Sequence, residues 1–442
     1  MRFRLPIVSL VVVAAACSTG TNRNPVDATT VAPVGTAPSQ PEIPAPVPLP
    51  DVDIIYAPIV SSQSPSGNLA EQPVMGGGPF GEPVSFTADP SSVRVDLTVI
   101  NDDLYLAVGT PQDASLIRAT LNGDQIKFGE SMTWPTEGND PVFGLNDDGV
   151  GLVNLPGRTA QTGAVRFQDG WAWVAGDVVA IGTPDNYSET PLDLLDDTLL
   201  VSNGDFVVAL TNPVRRLNHG IVGDGIEGGG FAVINDNGTV RAQVVLEAPD
   251  VIEGRSAMLG DVTGNGETEV VVTLSNAEVG AWVAVYDLDG TLIAQSTAIG
   301  LGNRWRHQIA IMPTADGPVI LNVVTPHIGG TLEALRFSEG RLEPVATIGQ
   351  YSTHTINSRI LDGAYIGDLD GDGEIEALVP NQPRNRLVAL SLRDGKFVEK
   401  FILETPDMSR SESNIAVIDW QGRTVVAVVG VDGVVTLWLT NP

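Results

Sequence analysis

Beyond residue 90 the apolar residues fall in short runs or in alternation, and no stretch holds the spacing of three to four that marks an amphipathic helix. Runs of this kind, bounded by Gly, Asp and Asn, predict strands. The clearest are Asp96–Ile100, Leu104–Val108, Phe206–Leu210, Phe231–Ile234, Val270–Leu274, Trp282–Tyr286, Val319–Val324, Ile360–Ile366, Val425–Val429 and Val434–Leu439. Hairpin turns are expected at Asn122-Gly123, Asp169-Gly170, Asn237-Gly238, Asp289-Gly290, Asp394-Gly395 and Asp432-Gly433, because such pairs accept the positive φ of a tight turn. The predicted class is all-β.

The strand starts repeat. Arg255, Arg306, Arg359 and Ser413 open successive units about 50 residues apart, and weaker units open near Arg94, Pro141 and Thr198. Seven units of about four short antiparallel strands predict a β-propeller. The last unit, from Asn414 to Leu439, has room for only three strands. A strand from the N-terminal side, within Val52–Ile59 or Val84–Phe86, is therefore expected to complete it and close the ring. Two β-sandwiches are the competing architecture, but sandwiches need no fixed period.

Ahead of the repeats the chain has a different character. Arg2 and Arg4, an apolar run from Leu5 to Val13 and the small residues Ala14-Ala15-Ala16 form an export signal too short to span a bilayer. Cys17, the single cysteine, follows directly and resembles the acylated cysteine of a bacterial lipoprotein, which implies a lipid anchor to the membrane; an ordinary secretory signal is the alternative. Residues 17–50 are rich in Thr, Pro, Ala and Val and read as an extended stalk. At about 3.1 Å per residue it could hold residues 51–442 as much as ~100 Å from the membrane. Domain boundaries are thus expected at 1–16, 17–50 and 51–442, with the protein facing the periplasm or the cell exterior.

Two loops carry recognisable chemistry. Gly367-Asp368-Leu369-Asp370-Gly371-Asp372-Gly373-Glu374-Ile375-Glu376 sets carboxylates at alternate positions of a tight turn, where they can face one hard cation, and calcium suits an all-oxygen set best. An EF-hand would need an acid at Val379 and helical flanks, so that motif is rejected. Gly260-Asp261-Val262-Thr263-Gly264-Asn265-Gly266-Glu267-Thr268-Glu269 repeats the frame with fewer charges, and reads equally as a weaker calcium loop or a plain turn.

These loops, each followed by an apolar strand, resemble the FG-GAP/VCBS repeats of integrin-α-like β-propellers. The resemblance implies calcium held by Asp368, Asp370, Asp372, the Glu374 carbonyl and Glu376. In the second loop it implies Asp261, Thr263, Asn265, the Glu267 carbonyl and Glu269. Asn146-Asp147-Asp148-Gly149 and Thr314-Ala315-Asp316-Gly317 occupy corresponding places without the full set of ligands.

The four histidines are His219, His307, His327 and His354. They fall at first-strand starts or second-strand ends, and antiparallel strands put those points on one face, opposite the Asp-rich loops. With Arg306 and Arg359, and with Arg304, Trp305 and Tyr351 nearby, they could line a pocket for an anionic or saccharide ligand, hold a transition metal, or serve structure alone.

Charge narrows the function. Asp+Glu 54 against Lys+Arg 24 gives −30, or −32 once cleavage removes Arg2 and Arg4, which speaks against nucleic acid as a partner. No Gly-x-Ser-x-Gly elbow, His-Glu-x-x-His or phosphate loop is present. The sequence therefore points to a calcium-stabilised binding module of the cell envelope that recognises a protein or saccharide. The alternative is an extracytoplasmic enzyme, a saccharide lyase or hydrolase or a metal-dependent one, using the His/Arg face.

Overall fold

Short Val-, Ile- and Leu-rich segments punctuated by two-residue turns have little choice but to pair with their sequence neighbours, and they do. The computed structural model describes residues 80–136, 143–146, 149–152, 155–302, 304–405 and 409–441. Every regular element among them is a β-strand. Cys17, the stalk and Val52–Ile59 lie outside the described residues.

The strands form consecutive four-stranded antiparallel meanders that start at Arg94, Ala164, Val201, Met258, Arg306, Tyr365 and Ala416. In the last of these, Val84–Thr87 pairs antiparallel with Val434–Leu439, so the fourth strand comes from the N-terminal side, at one of the two expected places. The meanders starting at Val201, Met258 and Arg306 are joined by small extra pairings into one 13-stranded sheet. Hairpins close where two residues can take positive φ. Asp394 (φ 50°) and Gly395 (φ 69°) sit between the paired Arg393 and Lys396, the geometry of a primed turn.

One unit boundary differs from the sequence reading. Pro141 lies outside the described residues; among the described residues Phe143–Asn146 and Gly149–Leu152 form a separate two-stranded hairpin, and the next four-stranded meander begins at Ala164. This inserted hairpin breaks the 50-residue period. Smaller shifts have a common cause. Arg255, Arg359 and Ser413 stand a few residues ahead of the strands they were expected to open, and their side chains bond to other groups. Arg255 Nε donates to Asp197 Oδ2 (3.0 Å), and Ser413 Oγ accepts from the Val429 amide (2.7 Å).

The core lies between meanders. Val201, Val208, Phe231 and Val233 pack with Leu259, Val270 and Val272 of the next unit; Met312, Leu321 and Val323 pack with Ile366, Ala377 and Val388. The last meander packs on the first through Ala416, Trp420, Val425 and Leu437 against Val95, Leu97, Leu104 and Leu106. Buried tryptophans tie units together with their one donor: Trp420 Nε1 to Asp102 O (2.8 Å) and Trp438 Nε1 to Glu404 O (3.2 Å).

Candidate functional site

The 368–376 loop connects the first strand of its meander, Tyr365–Gly367, to the second, Glu376–Pro380, as the repeat frame requires. Leu369 is fully buried and pins the turn to the core, while Gly373 takes φ +86°, a conformation that side chains resist. Asp368 accepts the amides of Gly371 (2.8 Å, Oδ1) and Gly373 (3.0 Å, Oδ2), which folds the loop around its carboxylate. Carboxylate oxygens of Asp368, Asp370 and Glu376 lie within 4.8 Å of one another, as do those of Asp372, Glu374 and Glu376.

Glu376 decides whether a cation fits. It is wholly buried; Oε2 accepts the Leu369 amide (3.0 Å), but Oε1 is buried without a hydrogen-bond partner. Burial pushes its carboxyl up to about 7, only partly offset by the Leu369 bond. An orphaned carboxylate oxygen beside two more carboxylates is an unfavourable arrangement that a hard cation relieves. The residue set fits calcium, with Asp368, Asp370, Asp372, the Glu374 carbonyl and Glu376 available as donors.

The second loop has the same backbone plan and a different outcome. Asp261 accepts the amides of Gly264 (2.6 Å) and Gly266 (2.9 Å), and Glu269 Oε2 accepts the Val262 amide (2.7 Å). Asn265 Oδ1 accepts the Glu267 amide (2.7 Å) as Asp372 Oδ1 accepts that of Glu374 (2.9 Å); the difference is that Glu269 Oε1 accepts the Thr263 hydroxyl (3.1 Å). The threonine satisfies the oxygen that stands orphaned in the first loop. Both carboxylate oxygens of Glu269 thus have donors within the loop, whereas Glu376 has a donor for one.

At the opposite end of the strands, three of the four histidines converge. Trp305 stacks on His307 (ring centroids 4.6 Å apart, planes 17° apart) and on His327 (6.0 Å, 19°), and meets His354 edge-on at 5.0 Å. His354 in turn lies 5.7 Å from His307 and 5.1 Å from His327. Ile221, Val222 and Leu361 pack on Trp305. His307 Nδ1 pairs with Thr353 Oγ1 (2.8 Å), and His354 Nε2 donates to Ser358 O (2.9 Å). Burial drives His307 down to about 3 and His354 well below its ordinary value, so both are neutral.

Only the Trp305–His307 and Trp305–His327 contacts are stacked, and His307 Nε2, His354 Nδ1 and both nitrogens of His327 are buried without a hydrogen-bond partner. Among the described residues, the groups of three or more His, Asp or Glu with ligand atoms mutually within 4.8 Å both lie in the 368–376 loop. His219 stands apart from the stack, with Nδ1 2.5 Å from Glu253 Oε1. The two arginines expected at this end are already neutralised: Arg306 pairs with Glu333, and Arg359 with Asp197 and, at 3.6 Å, Asp224. No known protein family and no curated protein matches the chain.

Two features at these sites were not visible in sequence. Glu227 is buried near Glu253, and burial followed by the Glu253 charge pushes it up to about 9. Lys400 places its ammonium on Asp372, 3.8 Å from Asp370 Oδ2 and 3.5 Å from Glu374 Oε2. The only sequence signal for Lys400 was its rarity, since the chain has three lysines.

Proposed function

We propose that the protein is an exported, lipid-anchored binding module built on a calcium-stabilised, seven-bladed β-propeller. The observation that carries the reading is the orphaned, buried Oε1 of Glu376 next to Asp368 and Asp370. The repeat architecture supports the propeller: four-stranded meanders succeed one another, cores lie between consecutive units, and the last unit packs on the first. First strands of successive units also touch, Met258–Gly260 on Arg306–Met312 and Arg306–Met312 on Tyr365–Gly367, which is how innermost strands line a propeller axis.

In this reading calcium joins the first and second strands of one blade and stiffens the surface beside them. A cleft of ≈ 590 Å³ adjoins the loop, walled by Thr314, Arg336, Ile375, Ser391 and Arg393 and sharing Glu374 with it. That volume lies in the range of small-ligand sites, and its mixture of two guanidiniums with apolar walls suits a contact surface. The signal, Cys17 and the stalk would hold this module away from the membrane that anchors it.

Thermal unfolding of the chain in calcium, in magnesium and in chelator tests the reading. Calcium is expected to raise the midpoint above both other conditions in the wild type and to have no effect in Asp368→Asn. Equal midpoints in all three would overturn it.

A further inference from the structure

Lys400 has an origin that invites explanation. It lies in Lys396–Glu404, the fourth strand of the meander that carries the Asp-rich loop. Along that strand Phe401 pairs with Ala389 and Glu399 with Leu390, so Lys400 is the extra residue of a β-bulge. A bulge re-aims the side chain it carries, and here the ammonium lands among Asp370, Asp372 and Glu374 with only 14% of the side chain exposed. The bond to Lys400 holds Asp372 below the ordinary carboxylate range.

The same bulge recurs at the same register in the meander of the second loop. Val270, which follows Glu269, pairs with Tyr286, and the shift falls between Val285 and Tyr286. Ala377, which follows Glu376, pairs with Leu390, and the shift falls between Ala389 and Leu390. Ile293 is therefore the counterpart of Lys400. The loop rich in aspartates has a cation at the bulge; the loop with Thr263 and Asn265, whose glutamate is satisfied, has an apolar residue.

We infer that Lys400 is the resident cation of the 368–376 loop, holding Asp372 in the metal-free state, and that calcium must displace it, so that Lys400 sets the loop's calcium affinity. The inference rests on the calcium reading above. An ammonium supplies one positive charge and hydrogen bonds to the outer carboxylates but leaves Glu376 Oε1 orphaned; a divalent cation can satisfy all of them. The role of Lys400 is to keep Asp370, Asp372 and Glu374 from repelling one another when calcium is scarce, at the expense of affinity when it is present.

The test is calorimetric titration of the full chain with calcium chloride for wild type, Lys400→Met, Lys400→Gln, Lys396→Met and Glu376→Gln. Lys396 lies on the same strand at the turn, so its substitution removes the same charge away from the loop. The expected result is at least tenfold tighter binding in both Lys400 variants, a change under twofold in Lys396→Met, and a lower unfolding midpoint in chelator for the Lys400 variants alone. Unchanged or weaker calcium binding in both Lys400 variants would overturn it while leaving the calcium reading standing. Wild-type affinity in Glu376→Gln, or no binding in any variant, would overturn the calcium reading and the inference with it.

Discussion

Asn414 and Val95 are joined by two hydrogen bonds: the Val95 amide donates to Asn414 Oδ1 (3.0 Å) and Asn414 Nδ2 donates to Val95 O (2.7 Å). One amide side chain thus plays the part of a neighbouring strand, between units whose residues lie more than 300 positions apart in sequence. Asn414 and Val95 are both fully buried, so water does not compete for these bonds.

Asn414→Ala is expected to destabilise the fold by about 2–4 kcal/mol, because two buried backbone groups lose their partners together. The denaturant midpoint should fall with an unchanged slope. A shift below ~0.5 kcal/mol would show that this junction contributes little to holding the last unit on the first.

Stability should fall on acidification through the histidine stack. The folded His307 and His354 titrate below the ordinary value of 6.5, His307 at about 3, so below pH 6.5 the unfolded chain binds protons that the folded chain does not. Above pH 6.5 both states are neutral at these residues and they contribute no pH dependence. His354→Gln should flatten the loss of unfolding midpoint between pH 6.5 and 4.5; an unaltered profile would contradict the assignment.

Glu227 predicts the opposite limb. Its folded value of about 9 lies above the ordinary 4.5, so between these values the folded chain holds a proton that the unfolded chain has lost, and stability declines as pH rises. Glu227→Gln should stabilise the protein at pH 8 by roughly 2 kcal/mol, with little gain at pH 4.5. An equal effect at both pH values would point to packing instead of ionisation.

Thr263 should matter only to its own loop. Thr263→Ala leaves Glu269 Oε1 without its donor and is expected to lower the unfolding midpoint by about 1–2 °C, in line with about 1 kcal/mol for one lost hydrogen bond. Calcium added to this variant should recover none of that loss, since Thr263 and Asn265 stand where the first loop has Asp370 and Asp372, leaving this turn two carboxylates short.

The all-β class, most unit boundaries and the frame of both loops could be read in the sequence, because turn glycines and alternating apolar residues act locally. Tyr365–Gly367 and Glu376–Pro380 flank the first loop where its spacing demanded. The unit expected at Pro141 failed because the 143–152 hairpin is an insertion that no local signal separates from a repeat. Convergence of His307, His327 and His354 on one end followed from strand direction, but the stacking on Trp305 depends on side-chain packing between units. Lys400 was invisible for a sharper reason: a one-residue bulge decides which way it points, and register is a property of the paired strands.

Elemental mass spectrometry of the protein purified without chelator tests the central claim most directly. The account predicts one calcium per chain, lost in Glu376→Gln and retained in Glu269→Gln. A chain that holds no calcium, or one that keeps it after Glu376→Gln, would contradict it.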